Sequence, residues 1–305
     1  MESGDLSLKD RVQNALARAI LGAALFLPYR MRVATVGLLN AYVVAPLAGW
    51  NRRIDNNLIY ALPELDARAR RKIARRVADN MGRSLIEIYS GAEFIARTKA
   101  STIDGPGLEA LKAARAAARP IVLVTAHLGN YDAVRGKLSR EGYPMAALYR
   151  PMKNTAFNAH YIKAISTIAQ PVYPTDARGI TSLVKHLKNG GVIGIVADVA
   201  STKAPLLKYF GKPAHTPLSA GEWALKYDAE IIPIFGIRDP DGFRFRIHVG
   251  SPLTGESAEE MMQAYNDAVE KIVRAHPDQW FWIHRRWKLA PWAKDLLSEG
   301  EQPPE

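Results

Sequence analysis

A short uncharged run that ends in a polar turn constrains the fold of this chain more than any other feature. Residues 121–125 read Ile-Val-Leu-Val-Thr, a pattern rich in β-branched side chains and typical of a buried strand. The turn that follows carries His127, and residues 131–138 can continue as a helix with Asn130 as its N-cap. A buried strand that leads directly into a helix is the unit of an open α/β sheet, in which ligands bind at the carboxyl edge of the strands.

The alternation of strand and helix continues beyond this unit and predicts a complete sheet. The predicted strands are 145–149, 192–197, 231–237 and 244–249, and the predicted helices are 155–168, 178–188, 219–227 and 257–275. Such an alternation indicates an α/β fold with a mainly parallel central sheet flanked by helices. We therefore expect an α/β domain over residues 56–295 and a disordered polar tail over 296–305.

Two apolar stretches precede this domain. Residues 19–28 are too short to span a bilayer, and residues 33–50 are at the lower limit of length. We expect residues 1–55 to form membrane-associated helices that lie in or dip into one leaflet, while the alternative is a pair of helices buried in a soluble core. The arginine-rich segment 52–76 that follows would face an anionic cytoplasmic leaflet, although such a run is also common on a solvated helix.

Charge and composition exclude several classes of function. The net charge of +11 favours an acidic partner, which could be an anionic lipid, a nucleic acid or an acidic carrier protein. The chain contains no cysteine, so thiol nucleophiles, disulfides and thiolate metal sites are excluded. We find no nucleic-acid-binding motif and no Gly-x-Ser-x-Gly sequence, which argues against a serine hydrolase.

The pair His127 and Asp132 is the strongest candidate for catalysis. Asp132 falls in the first turn of the predicted helix, close enough to reach back to His127. A neutral imidazole held by a carboxylate can take a proton from a hydroxyl group, and such general-base catalysis is worth about 10²–10⁴ in rate. The structural alternative is that His127 bonds to the backbone and Asp132 is a first-turn acid favoured by the helix dipole.

The segment 127–132, His-Leu-Gly-Asn-Tyr-Asp, resembles the His-x4-Asp/Glu motif of glycerolipid acyltransferases. In its Gly-Asn-aromatic form it is similar to the motif of the bacterial lipid A biosynthesis acyltransferases. Segments 150–154, 209–217 and 277–288 resemble other motifs of this family, so the resemblance runs from about residue 27 to residue 288. It implies a glycerolipid-acyltransferase-like fold. In that family the histidine, here His127, activates a hydroxyl group, and the acid, here Asp132 but usually Glu, orients the histidine.

The resemblance and the strand ends together suggest a substrate site. Its expected members are Asn130, Arg150, Lys153, Asn154, Asp198, Gly211 and Arg285. Arg150 follows a predicted strand and would bind phosphate or stabilise negative charge, unless a local carboxylate pairs with it. Asp198 ends another strand and either contacts the substrate or caps a loop. Gly211 is expected in a turn that lines the acyl or lipid site, and Arg285 is expected to contact a phosphate.

The resemblance implies an acyltransferase that moves a fatty acyl chain from acyl carrier protein to a hydroxyl group of a lipid A precursor. Its expected partners are that carrier, a lipid A precursor or other polar lipid, and the cytoplasmic face of the inner membrane, with no nucleic acid. No cofactor or metal is expected. Two alternatives are an enzyme of the same fold that acts on a lysophospholipid or glycolipid, and a basic membrane- or nucleic-acid-binding protein without catalysis.

Overall fold

The computed structural model describes residues 7–294 and Pro303, and a seven-stranded sheet forms its centre. The strands are β1 (Thr102–Asp104), β2 (Ile121–Thr125), β3 (Met145–Tyr149), β4 (Val172–Pro174), β5 (Val192–Val196), β8 (Glu230–Arg238) and β9 (Phe245–Val249), with β6 (Leu206–Tyr209) and β7 (Lys212–His215) in a separate hairpin. The helices are α1 (Leu8–Leu25), α2 (Tyr29–Leu39), a π-helical segment (Asn40–Val44), α3 (Ala45–Leu47), α4 (Trp50–Ala61), α5 (Ala67–Tyr89), α6 (Gly91–Lys99), α7 (Leu108–Ala116), α8 (Tyr131–Arg140), α9 (Thr155–Ile168), α10 (Ala177–Lys188), α11 (Ser219–Lys226), α12 (Ala258–Ala275) and α13 (Pro291–Lys294).

The strand order β1-β9-β8-β2-β5-β3-β4 places β2 near the centre, between β8 and β5. All neighbouring pairs in this sheet are parallel except β8 and β9. Thr125 at the end of β2 lies opposite Val196 at the end of β5. Because the two strands are parallel and in this register, His127 and Asp198 leave the same edge of the sheet side by side.

The predicted α/β architecture is confirmed. Strands β2 and β3 and helix α9 have the predicted boundaries, and the other predicted elements differ by one or two residues at an end. Strands β1 and β4 and the β6–β7 hairpin were not predicted, since strands of three or four residues are too short to show an alternating pattern. The predicted disordered tail, 296–305, lies outside the described residues apart from Pro303.

The amino-terminal helices pack against the sheet domain through α5. Tyr29 and Val33 of α2 are buried in the core on one side of the sheet. The helices approach closely where Gly82 of α5 meets α2, since a Cβ at Gly82 would lie 2.6 Å from the carbonyl oxygen of Val36. Among residues 7–294 no single helix is long and apolar enough to cross a bilayer, and the segments 29–47 and 50–61, bent by 87°, reach that length and composition only as a pair.

A buried ion pair connects α5 to β8. Nη1 and Nη2 of Arg238 donate to the two carboxylate oxygens of Glu87 at 2.6 and 2.7 Å, and Glu87 is fully buried. Nε of Arg238 donates to Asn80 at 2.6 Å, and Asn130 donates to Glu87 at 2.7 Å. The pair therefore ties α5 to the sheet and to the cap of α8.

We predict that Glu87→Gln lowers the free energy of unfolding by about 3–5 kcal/mol, because it leaves the buried guanidinium of Arg238 without its counter-charge. Glu109→Gln is the matched control, since Glu109 pairs with Lys112 on the exposed surface and should leave stability unchanged. Urea denaturation followed by tryptophan fluorescence measures both variants. Equal midpoints for the two variants would show that the buried pair contributes nothing.

Candidate active site

Asp198 holds His127 through both its backbone and its side chain. Oδ1 of Asp198 lies 2.7 Å from Nδ1 of His127, and Oδ2 accepts from the backbone N–H of His127 at 2.8 Å. Oδ2 also accepts from the indole N–H of Trp280 at 2.9 Å. A carboxylate at this position only accepts, so Nδ1 of His127 carries the proton and Nε2 is left as the basic nitrogen.

A second imidazole lies against this pair. Nε2 of His284 is 3.2 Å from Nδ1 of His127, and the two rings meet edge to face with their centroids 4.6 Å apart. Burial lowers the pKa of His284 to about 4, so His284 is neutral at pH 7. A neutral His284 can accept a second, longer hydrogen bond from Nδ1–H of His127. Because it is neutral, it places no second positive charge beside His127.

The buried carboxylate sets the basicity of His127. Burial alone would lower the pKa of His127, but the charge of Asp198 and its hydrogen bond outweigh burial and raise that pKa above its ordinary value. Burial would likewise raise the pKa of Asp198, yet the interaction with His127 holds it well below its usual range. The carboxylate of Asp198 therefore stabilises the imidazolium that forms when His127 takes a proton.

The predicted contact between His127 and Asp132 is wrong, because the carboxylate that bonds to the His127 ring is that of Asp198. Asp132 lies in the first turn of α8, and its carboxylate accepts from Nη1 of Arg135 at 2.6 Å. Arg135 follows at the i+3 position on the same helix face and is therefore the nearer partner. Asp132 is buried and lines both of the cavities described below, so its predicted part in catalysis stays a prediction.

Two of the residues predicted to contact substrate also cap helices, and their predicted substrate contacts stay predictions. Asn130 accepts from the backbone N–H of Asp132 at 3.0 Å, which confirms it as the N-cap of α8, and its amide is bonded to Glu87. Asn154 caps α9 by accepting from Phe157 N–H at 3.0 Å, and it donates to the carbonyl of Asp10. Their amide groups are therefore used inside the protein.

The remaining predicted residues separate into two groups. Arg150 is exposed at the rim of a cavity that reaches His127, with exposed Lys153 three residues further along the chain. Gly211 lies in the turn of the β6–β7 hairpin and Arg285 is exposed, and neither lines the two cavities beside His127. The aromatic side chains of the hairpin pack into the core, so the predicted part of Gly211 in a lipid site stays a prediction.

One cavity runs from His127 into the sheet domain and has a volume of about 600 Å³. We call it the sheet cavity, and its walls include Leu123, Met145, Leu148, Tyr161, Ile165 and Gly194. It lies between the carboxyl ends of the parallel strands and helices α8 and α9. Apolar side chains form much of its wall, and polar groups, including His127, His284 and Asp132, line the rest. Such a cavity suits an alkyl chain whose reactive end stops at His127.

A second cavity of about 310 Å³ reaches the same histidine from the side of α5. We call it the α5 groove, and it is lined by Asn40, Trp50, Val77, Asn80, Met81, Ser84, Leu85, Ile88, Gln279, Trp280 and Phe281 together with the turn 127–132. Only His127, Tyr131 and Asp132 line both cavities. His127 therefore lies between the sheet cavity and the α5 groove.

The same side chains also have the chemistry to bind a metal ion. Ligand atoms of His127, Asp198 and His284 all lie within 4.8 Å of one another. However, the 2.7 Å between Nδ1 of His127 and Asp198 is a direct hydrogen bond, and an ion held at about 2.0–2.2 Å from each ligand needs the ligands further apart. The geometry fits a hydrogen-bonded catalytic group better than a metal centre.

His284 and Trp280 are two residues of the site that the sequence did not predict. Both lie in the segment 277–288, which is an irregular loop here and not a strand. The loop reaches the site because Phe281 donates its N–H to the carbonyl of His127 at 2.9 Å. A loop that returns from the far end of the chain leaves no spacing pattern in the sequence.

Comparisons with known proteins agree on one family. The profile of the bacterial lipid A biosynthesis acyltransferases matches residues 8–289. The chain is 24% identical to the lipid A biosynthesis lauroyltransferase of Escherichia coli K12 over 248 residues, which are 78% of this chain and 79% of the relative. It is 22% identical to a lipid A biosynthesis acyltransferase of Haemophilus influenzae over 280 residues, 90% and 86% of the two chains. A lipid A biosynthesis palmitoleoyltransferase of E. coli K12 is 22% identical over 246 residues, 79% of each.

We predict that the pKa of His127 lies above its ordinary value and falls below it in Asp198→Asn, because burial then acts without the opposing charge. The matched variant Asp132→Asn should leave the pKa almost unchanged, since Asp132 faces Arg135. NMR titration of the labelled imidazole, assigned with His127→Gln, measures all three proteins. A larger fall in Asp132→Asn than in Asp198→Asn would restore Asp132 as the partner of His127.

Proposed function

This chain belongs to the bacterial lipid A biosynthesis acyltransferase family, and from that premise we propose that it moves a fatty acyl chain from acyl carrier protein to a hydroxyl group of a lipid A precursor. One observation supports the chemistry above all others: a buried carboxylate holds Nδ1 of His127 while the ring borders a deep apolar cavity. The relatives named above are acyltransferases, and such an enzyme needs a base at the end of an acyl site.

The proposed reaction has two stages. Nε2 of His127 takes the proton of the acceptor hydroxyl as its oxygen attacks the thioester carbonyl of the donor. The tetrahedral intermediate then collapses, the carbon–sulfur bond breaks, and the imidazolium returns the proton to the leaving sulfur. Asp198 stabilises the imidazolium throughout. The step needs no covalent enzyme intermediate.

An acyl carrier protein suits this chain as the donor. A thioester already contains a good leaving group, whereas a free acid needs activation by a nucleotide, and the sequence has no phosphate-binding loop. Arg150 and Lys153 lie exposed at and beside the rim of the sheet cavity, where they would meet a carrier surface or the phosphate of its prosthetic arm. The net charge of +11 would also speed the encounter with an acidic carrier.

We predict that the purified protein transfers an acyl chain to a lipid A precursor from acyl carrier protein and not from a free fatty acid. The value of kcat/KM for the carrier should fall at least about tenfold between low salt and about 0.5 M salt, because salt screens the steering of charged partners. Product formation by mass spectrometry across a salt series measures this.

His127→Ala is the control for chemistry and should lower kcat by about 10²–10⁴-fold without changing the salt dependence. Transfer from free acid without ATP, or a carrier rate that ignores salt, would contradict the donor assignment. Wild-type turnover in His127→Ala would contradict the mechanism.

The proposed location is the cytoplasmic face of the inner membrane. Large apolar side chains stand exposed along the amino-terminal helices and include Phe26, Met31, Leu38, Leu39, Tyr42 and Leu47, of which Phe26 is 92% and Leu47 84% exposed. The arginines of α5 follow directly, and each basic residue near an anionic surface adds about 1 kcal/mol of attraction. An apolar surface beside a basic one suits helices that lie in one leaflet.

We predict that the protein floats with vesicles containing phosphatidylglycerol and that the double variant Phe26→Asp/Leu47→Asp does not, because it places charge at the two most exposed apolar positions of this surface. Ala113→Asp/Ala116→Asp, which adds the same two charges at exposed positions of α7, outside the amino-terminal helices, is the control for overall charge. Equal flotation of the Phe26/Leu47 variant and the wild-type protein would reject this surface as the membrane contact.

A further inference from the structure

We propose that the α5 groove binds an acyl chain of the acceptor lipid, while the sheet cavity binds the acyl chain of the donor. This inference rests on the proposed function and divides its two substrates between two cavities. The division starts from the position of His127, which borders both spaces. A transfer reaction needs a hydroxyl group and a thioester carbonyl together at one nitrogen, so two substrates must converge on that atom from separate directions.

The walls of the α5 groove suit an alkyl chain. Val77, Met81, Leu85 and Ile88 lie three or four residues apart along α5 and therefore share one helix face. The aromatic ring of Phe281 lies among the residues that close the groove. A groove with apolar side chains along a helix and an aromatic ring at its side favours binding of an alkyl chain, because burying methylene groups lowers the free energy.

The polar groups in the groove already have partners. The amide of Asn80 donates to the carbonyl of Gly129 at 3.1 Å, and the hydroxyl of Ser84 donates to the same oxygen at 3.0 Å. The carbonyl oxygen of Asn80 accepts from Arg238. Because these groups are bonded within the protein, a chain in the groove does not leave them stripped of water and unpaired.

The openings of the two cavities indicate which substrate enters each cavity. The α5 groove is bordered by Leu85, which is 50% exposed, and by Asn40, which begins the π-helical segment. Ala41 on that segment is buried, but Tyr42 and Val43 after it are exposed and largely apolar. A lipid held in a bilayer can therefore reach the groove without leaving an apolar surface.

The sheet cavity differs in that its exposed lining residues include a cation. They are Arg150, Thr175 and Val199. A cationic rim suits a chain delivered by an acidic carrier from the aqueous side. The donor therefore enters from water through the rim, and the acceptor enters from the apolar surface beside α5.

The same substitution placed in each cavity tests this division. Leu85→Trp narrows the α5 groove and Leu148→Trp narrows the sheet cavity, and neither leucine is fully buried, so both variants should fold. Met81→Trp, deeper in the groove, is a second obstruction in case the ring at position 85 turns to solvent. Urea midpoints establish that the variants are folded.

We expect Leu85→Trp or Met81→Trp to raise KM for the lipid A precursor by about tenfold or more and to change KM for the carrier less than twofold. Leu148→Trp should do the reverse and should shorten the preferred donor chain. Equilibrium binding of a lipid A precursor in detergent micelles, which needs no turnover, should weaken by a similar factor only in the groove variants.

The two hypotheses fail differently. A wild-type protein that transfers no acyl chain to any lipid would reject the proposed function. Groove variants that raise KM for the donor, or that bind the precursor as tightly as the wild-type protein does, would overturn the division while leaving the proposed function intact. A wild-type protein that does not bind the precursor would overturn the groove assignment whatever its activity.

Discussion

The site depends on one buried carboxylate, Asp198, which joins three parts of the chain that are distant in sequence. It lies beyond the end of β5, holds the turn after β2 through His127, and accepts from Trp280 of the carboxyl-terminal loop. A carboxylate that is 1% exposed would be costly without such partners. Three hydrogen bonds to one side chain satisfy it, and they fix the ring of His127, its tautomer and its distance from the loop at once.

The turn that carries His127 is also held by its backbone. Gly129 has a positive φ of 58°, and a Cβ there would lie 2.1 Å from the carbonyl oxygen of Gly236 in β8. Its N–H donates to the carbonyl of Gln279, while its own carbonyl accepts from α5 through Ser84. Glycine is required because only a residue without a side chain can take this conformation so close to a neighbouring strand.

Much of the fold could be predicted from sequence, but the partner of His127 could not. Strand β2, the alternation after it and the cap at Asn130 depend on local patterns of burial and hydrogen bonding, which a sequence displays directly. That Asp198 meets His127 depends on β5 lying beside β2 in parallel register, a fact of topology. The sequence spacing favours Asp132 as the partner of His127, but the carboxylate of Asp132 accepts from Arg135, one turn further along α8. His284 is separated from His127 by more than half the chain, and only tertiary packing of the last loop brings it to the site.

Helix α5 links the groove to the base because it contributes to both. One face carries the apolar wall at Met81 and Leu85, while Glu87, buried elsewhere on the same helix, is clamped to Arg238 of the sheet. The hydroxyl of Ser84 donates to Gly129 in the turn that carries His127. The helix cannot yield to a bulkier occupant without pulling on the ion pair and on that turn. The helix that forms one wall of the groove is thus anchored on its other side, so a bulkier occupant would have to be accommodated by moving side chains such as Leu85 and not by shifting the helix.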